Sequence, residues 1–207
     1  MKLFYTPNSP YARICRITAM EAGLMDRIEL DWVPLRTSDS PVIPHAALGR
    51  IPLLIDGDLA LSEGRHICAY LHEKAGRGPA VAAYGDWPAV AAEGHALAFL
   101  DAITVWSRET RRNEADRSAF MLEVEAARAA RYLRQLDSTL TVPAGAPPLS
   151  FATLCLVAAL GMTRFYNLVP DWREAYPIVA AWSDAYDAVP SIADTAPSQD
   201  ALKPLTR

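Results

Sequence analysis

Apolar residues in the first third of the chain recur at two different spacings. Leu3 to Tyr5 is a short apolar stretch that predicts a strand, and Thr6-Pro7-Asn8 after it reads as a turn. From Ser9-Pro10 the spacing lengthens. Ile14, Ile17 and Glu21 follow one helical row with Cys15 and Ala19 beside them, so a helix is predicted from Pro10 to about Ala22. Ser9 would be its N-cap, Pro10 its first residue and Gly23 its stop. Ile28, Leu30 and Trp32 then alternate with Glu29, Asp31 and Val33, the pattern of a strand half open to solvent. Joined to the first strand through a helix, it would pair in parallel. Residues 34–48 carry three prolines among polar and small residues and predict a loop with one short, irregular helix. Leu53–Ile55 and Leu59–Leu61 flank Asp56-Gly57-Asp58 as an antiparallel hairpin. A helix is expected to open at Ser62 and Glu63 and to run over Arg65–Ala75, with Ile67, Tyr70 and Leu71 inward.

Gly76-Arg77-Gly78-Pro79 breaks the pattern, and beyond Asp86 only helical spacing remains. One helix is predicted over Trp87–Arg112, with Val90, Leu97, Leu100 and Thr104 on one side and Gly94 allowing close approach. A turn at Asn113–Asp116 leads to a second helix carrying Phe120, Val124, Ala127, Leu133, Leu136 and Leu140. After the Pro143–Pro148 loop, Ser150 would cap a helix that is apolar almost all round from Phe151 to Leu160, which predicts a place at the centre of a bundle. The order β-α-β, β-β-α, then helices alone predicts an α/β thioredoxin-like domain over residues 1–76. A linker over 77–86 and an all-α helical bundle over 87–207 would follow it.

Composition narrows the function classes. With 51% hydrophobic and 21% charged residues among 207, long disorder is excluded, and a net charge of −4 argues against nucleic-acid binding by overall field. Cys15, Cys68 and Cys155 lie far apart within apolar helical patterns and predict buried free thiols in a reducing compartment. No basic, apolar leader opens the chain, and the longest apolar run, Phe151 to Met162, falls short of the roughly 20 residues that span a bilayer. A cytoplasmic protein without membrane contact is expected. The four histidines show no ligand spacing, so no metal site is expected.

Two neighbouring features carry the candidate chemistry. Pro52 at the first position of a strand loses no ladder donor, and a cis Ile51-Pro52 bond would leave the preceding backbone exposed to pair with an extended ligand. The helix opening at Glu63 and Gly64 would turn unpaired N–H groups toward a carboxylate. Together they could hold a short peptide.

Ile51-Pro52, the hairpin, Glu63 at a helix start and then Arg65, Ile67 and Tyr70-Leu71 resemble the glutathione-binding half of the glutathione transferase family. Lys2 to Tyr5 with Asn8 to Arg13 is similar to the opening strand and helix of bacterial members. Tyr176 to Trp182 with Val189 to Ile192 is similar to the family's last helices. The resemblance implies glutathione as cosubstrate, a small apolar electrophile, detoxification and a homodimer. It matches Ser9 to the serine that stabilises the thiolate in serine-type members, with Tyr5 the alternative donor. A hydroxyl donor beside a helix N-terminus could lower a thiol pKa, about 8.5 when free, by roughly 2. Capping and thiol activation by one hydroxyl are not expected at the same moment. The Ile51 backbone would pair with the cysteinyl part of glutathione, Arg50 would attract the glycine carboxylate, and Glu63 would receive the γ-glutamyl ammonium. Tyr11, Trp106 and Tyr166 would border the electrophile, and Arg108, Arg111 and Arg112 would favour an anionic one.

Two positions depart from the family's pattern. Gly64 stands where a Ser or Thr usually holds the γ-glutamyl carboxylate, a loss of one charged hydrogen bond worth about 1.5–3 kcal/mol. Thr153 stands where an Asp usually completes the capping box after Ser150. They leave room for a non-catalytic module of the same fold, or for a glutathione-dependent isomerase or dehalogenase.

Overall fold

A computed structural model describes residues 1–34 and 37–199; Leu35 and Arg36, within the predicted 34–48 loop, lie outside the described residues. The chain divides into two compact units. One comprises Met1–Ala82, Leu149–Phe151 and the chain from Thr195; the other comprises Ala83–Pro148 and Ala152–Asp194.

The first unit holds a four-stranded mixed sheet in the order β2-β1-β3-β4. Strand β1 (Lys2–Tyr5) pairs in parallel with β2 (Glu29–Trp32) and antiparallel with β3 (Leu53–Asp56), which pairs antiparallel with β4 (Leu59–Ser62). Helix α1 (Pro10–Glu21) makes the crossover and packs against α2 (Gly64–Ala75). Ile14, Ile17, Ile67 and Leu71 are fully buried with Leu3, Leu53 and Leu54, each contributing about 1.5–3 kcal/mol of transfer free energy. Gly23 ends α1 at φ +68°, where an added Cβ would stand 1.9 Å from the Arg77 guanidinium.

Several expectations are corrected. At the end of the edge strand β2, Trp32 is 42% exposed and Val33, just after the strand, is buried, the reverse of the predicted phase. β2 is an edge strand, and Val33 turns into a cluster with Phe4, Val42 and Leu53. Among the described residues of 34–48 there is no helix; Ser40 to Gly49 fold as successive turns, with Ile43 N–H donating to Ser40 C=O and Gly49 N–H to Ala46 C=O. Pro41 and Pro44 lack the N–H groups that a helix would need there. Ser62 belongs to β4 and not to the helix, so Glu63 is the residue that precedes α2. Tyr70 is only half-buried and donates to Asp56 Oδ2 at 2.6 Å.

The second unit is helical: α3 (Trp87–Thr110), α4 (Ala119–Thr139), α5 (Phe151–Phe165), α6 (Trp172–Ala175), α7 (Pro177–Asp187) and α8 (Pro190–Ala193). Helix α5 is buried along almost its whole length, as a helix apolar all round must be. Helices α3 and α4 pack together, with the Phe99 and Tyr132 rings 4.9 Å apart. Their buried rows agree with those expected at Leu100, Thr104, Leu133 and Leu136 and differ elsewhere. Gly94 is exposed with open space around it, so it serves no close approach. On α4 the covered positions are Glu125, Ala129, Leu133 and Leu136, while Phe120 is 71% exposed. By length and composition alone α3 would be long enough to cross a bilayer, a property shared by core helices of this length. Helix α7 lacks a side-chain cap from Tyr176; Asp137 of α4 supplies it, accepting from the N–H groups of Ile178 (2.8 Å) and Val179 (3.1 Å).

Thr153 shows how the missing acid is accommodated. Its hydroxyl donates to Pro148 C=O at 3.4 Å, and the buried Tyr186 hydroxyl donates to the same oxygen at 3.0 Å. An ionised Asp at 153 has no proton to give to that carbonyl. Burial pushes the Tyr186 phenol up, which keeps it a donor.

Candidate functional site

Pairing register brings the candidate residues of the first unit to one end of the sheet. Phe4 is opposite Leu53 and Leu53 opposite Ser62, so β1 ends, β3 begins and β4 ends on the same side. The Thr6–Ser9 turn, Ile51-Pro52 and Glu63-Gly64 follow from those three strand ends. Helices α1 and α2 also start together there: an added Cβ at Gly64 would lie 3.7 Å from Tyr11 C=O and 3.9 Å from Cys15 Sγ.

Ser9 is the N-cap of α1. Its own N–H donates to Thr6 C=O at 3.1 Å, and Ala12 N–H donates to Ser9 Oγ at 3.3 Å. An oxygen that accepts still carries its own proton. Capping and donation to a second acceptor are therefore compatible, contrary to the sequence-based expectation. Tyr5 is half-buried with the Arg16 guanidinium 5.2 Å from its ring centroid; burial draws Arg16 below its ordinary range, partly offset by Tyr5.

The Ile51-Pro52 peptide bond is cis. Among the described residues neither the N–H nor the C=O of Ile51 has a hydrogen-bond partner, so both are available to an extended chain. Ile51 is partly buried against the Phe4, Val33, Val42 and Leu53 cluster, which fixes it from behind. An open hollow of about 240 Å³ lies beside it, lined by Ala46, Ala47, Leu48, Arg50, Ser62 and Glu63. Arg50 is exposed on its rim.

Glu63 has φ +69° and ψ 125°, a conformation that non-glycine residues rarely hold, and its carboxylate makes no capping bond to α2. Nothing in the sequence signals this. Backbone strain of this kind costs of order 1–3 kcal/mol and persists where the surroundings impose it, commonly at ligand sites. Gly64, next to it, begins α2, so its N–H belongs to the positive end of the helix dipole.

Tyr11 belongs to the first unit, Trp106 and Tyr166 to the second; all three are half-buried. Trp106 lies on α3. Tyr166 follows α5, carries the Arg111 guanidinium 5.0 Å from its ring centroid and meets Phe165 edge-on at 4.8 Å. Arg108 and Arg112 are exposed, and Arg112 Nε lies 3.8 Å from Glu109. Cys15, Cys68 and Cys155 are buried free thiols. Among the described residues no group of three or more His, Cys, Asp or Glu is arranged to hold a metal ion. Sequence reasoning passed over Ala46, Ala47, Leu48 and Ser62, which line the hollow, and Asn8, whose partner lies 190 residues away.

Residues 3–79 match the family model described as glutathione S-transferase, N-terminal domain. No curated protein matches the chain. Among solved structures, a glutathione S-transferase from Methylobacillus flagellatus KT with glutathione bound is 30% identical over 95% of this chain and 99% of its own, with a TM-score of 0.78. A glutathione S-transferase from Methylobacterium radiotolerans JCM 2831, in complex with glutathione sulfonate, is 25% identical over 100% of this chain and 97% of its own, with a TM-score of 0.80. A glutathione transferase family member from Pseudomonas fluorescens Pf-5 with bound S-(propanoic acid)-glutathione is 26% identical over 96% and 100%, with a TM-score of 0.79.

Proposed function

The chain belongs to the glutathione S-transferase family, and from that premise we propose that it binds glutathione at the strand ends of its first unit and activates the thiol with Ser9. In this reading the Ile51 N–H and C=O pair with the cysteinyl backbone of the tripeptide. Glu63 takes the γ-glutamyl ammonium, the N–H groups at the start of α2 take the adjoining carboxylate, and Arg50 faces the glycine end. Ser9 donates its hydroxyl proton in a hydrogen bond to the sulfur, and the N-terminus of α1 adds favourable potential, so the thiol ionises nearer neutral pH. The thiolate then attacks a small apolar electrophile: a C–S bond forms and the leaving group departs with the electron pair of its bond to carbon. Tyr11, in the first turn of α1, is proposed to border that electrophile.

The observation that carries this reading is the Ser9 hydroxyl, capping α1 with its proton still to give, on the sheet end that also bears the unpaired Ile51 peptide and the start of α2. Tyr5, whose ring packs against the Arg16 guanidinium, is the alternative donor. A reducing, cytoplasmic setting fits three free thiols. A homodimer, implied by the family resemblance, is to be checked by light scattering.

Calorimetric titration with glutathione, followed by conjugation of an aryl halide, tests the proposal. Binding, together with turnover that Ser9→Ala lowers at least about tenfold at neutral pH, supports it. Binding without turnover toward any halide, epoxide or small halo-acid points instead to a binding module, a reading that Gly64 favours by lacking a hydroxyl.

A further inference from the structure

The chain returns at Thr195 to the unit that carries the sheet. There Asn8 and Ser198 are joined twice: Asn8 Nδ2 donates to Ser198 C=O at 2.8 Å, and Ser198 N–H donates to Asn8 Oδ1 at 3.0 Å. The carboxamide thus engages the main chain of the tail with both of its polar atoms, the fork that a peptide group itself would present. Three residues earlier, Arg13 Nε donates to Thr195 Oγ1 at 3.3 Å, and both residues are 2% exposed. Asn8 immediately precedes Ser9, and Arg13 N–H donates to Ser9 C=O at 2.9 Å. The tail is therefore fastened on both sides of Ser9, to the turn before it and to α1 after it.

Among the described residues the Thr6–Ser9 turn is closed by one backbone bond, from Ser9 N–H to Thr6 C=O, beside the Ala12 N–H cap on Ser9 Oγ, and Pro7 has no N–H to add. A short polar turn held by one bond opens readily. A hydroxyl stabilises a thiolate only while its direction is kept, because the interaction weakens steeply as the angle at hydrogen closes. We propose that the segment from Thr195 to Ser198 is a strap that fixes the direction of Ser9 Oγ, with Asn8 as the positioning residue. This rests on Ser9 as the thiolate donor. Ile51, Glu63 and Gly64 lie on other segments, so loosening the strap alters ionisation of the bound thiol while leaving its ground-state binding in place.

The test compares full-length Ser9→Ala, Asn8→Ala, Ser198→Pro and the Asn8→Ala/Ser198→Pro double variant. Ser198 is exposed, and proline there deletes the N–H that Asn8 receives without touching the active-site turn. Measured are the pH dependence of kcat/KM with glutathione and chlorodinitrobenzene, KM for glutathione, the ultraviolet absorbance of bound thiolate and the melting temperature. Asn8→Ala and Ser198→Pro are each expected to raise the pH midpoint by about one pH unit, a roughly tenfold loss at neutral pH. KM for glutathione should stay within about twofold, the signature of an interaction used only in activation. The double variant should lose no more than Asn8→Ala alone, because Ser198→Pro deletes one of the two bonds that Asn8→Ala already removes. An unmoved midpoint, independent additive losses, or a change seen only in KM or melting temperature overturns the strap. If Ser9→Ala itself leaves the midpoint unmoved, the Ser9 reading fails and the strap with it; if Ser9→Ala moves it and the strap variants do not, the strap alone fails.

Discussion

Ala12 N–H reaches Ser9 Oγ at 3.3 Å, which occupies one oxygen lone pair and, among the described residues, leaves the hydroxyl proton uncommitted. Ser9→Ala should therefore remove a helix cap and a thiolate donor together. The cap is worth about 1 kcal/mol of stability, and a hydrogen bond to a charged sulfur about 1.5–3 kcal/mol. We expect kcat/KM at neutral pH to fall at least about tenfold, with its pH midpoint displaced upward, and Ser9→Thr to retain both functions in large part. A Ser9→Ala protein that melts earlier yet keeps its pH midpoint would reduce Ser9 to a cap.

Gly64 has room for a side chain. An added Cβ would meet Tyr11 C=O at 3.7 Å and Cys15 Sγ at 3.9 Å, both ordinary contacts, in a helical conformation open to any L residue. Gly64→Ser is expected to fold normally and to supply the hydroxyl that the family's pattern has at this position. Glutathione should then bind about tenfold more tightly, or somewhat better, the equivalent of one hydrogen bond to a carboxylate. Calorimetric titration decides the matter: an unchanged Kd would place the γ-glutamyl carboxylate away from the start of α2.

Much of the first unit was legible because its signals are local. Asp56-Gly57 fixes the hairpin, with Gly57 at φ +58°, and Ser9-Pro10 fixes the start of α1 to the residue. The misreadings share a physical cause, in that the answer depends on what covers a face. Val33, not Trp32, turns inward because the Val42 turns offer it a cluster, and Phe120 stays outside while the α4 row through Ala129 and Leu133 is buried. Ile51, Pro52, Glu63 and Ser9 could be picked out as candidates from turn and cap chemistry. The backbone strain at Glu63 and the Asn8–Ser198 pair could not, since neither a φ angle nor a contact across 190 residues leaves a trace in a periodicity of two or 3.6.

Glu63 combines a conformation suited to glycine with a charged side chain that makes no cap. Relief of about 1–3 kcal/mol of strain in Glu63→Gly is set against about 0.5–1 kcal/mol of extra chain entropy. The variant should thus be at least as stable as the parent. Its affinity for glutathione should fall about tenfold or more, because a charged partner for the ammonium is gone. Denaturant midpoints and titration calorimetry read the two effects separately. A destabilised variant with intact affinity would show that the carboxylate serves the fold.

The hairpin is fastened to α2 by a second charge device whose pH dependence has a definite sign. Asp56 Oδ2 accepts from both Lys74 Nζ and the Tyr70 hydroxyl, and these hydrogen bonds, Lys74's first, draw the carboxyl below its ordinary range. The same contacts, Asp56's first, hold the Lys74 ammonium above its own. A depressed carboxyl contributes stability that is present above its unfolded pKa, near 3.9, and is lost as pH falls through the lower folded value. A raised ammonium contributes stability that is complete below its unfolded pKa, near 10.4, and is lost as pH rises through the higher folded value. The clamp should consequently be at full strength across the neutral range and disappear at both extremes. Both side chains are partly exposed to solvent, so the effect is small and weakens with salt. Comparing urea midpoints of the parent and Asp56→Asn, we expect a gap at pH 7 in dilute buffer that narrows on adding salt and closes in acid well below pH 4. A gap that persists unchanged into acid would assign the contribution of Asp56 to its shape in the hairpin and not to its charge.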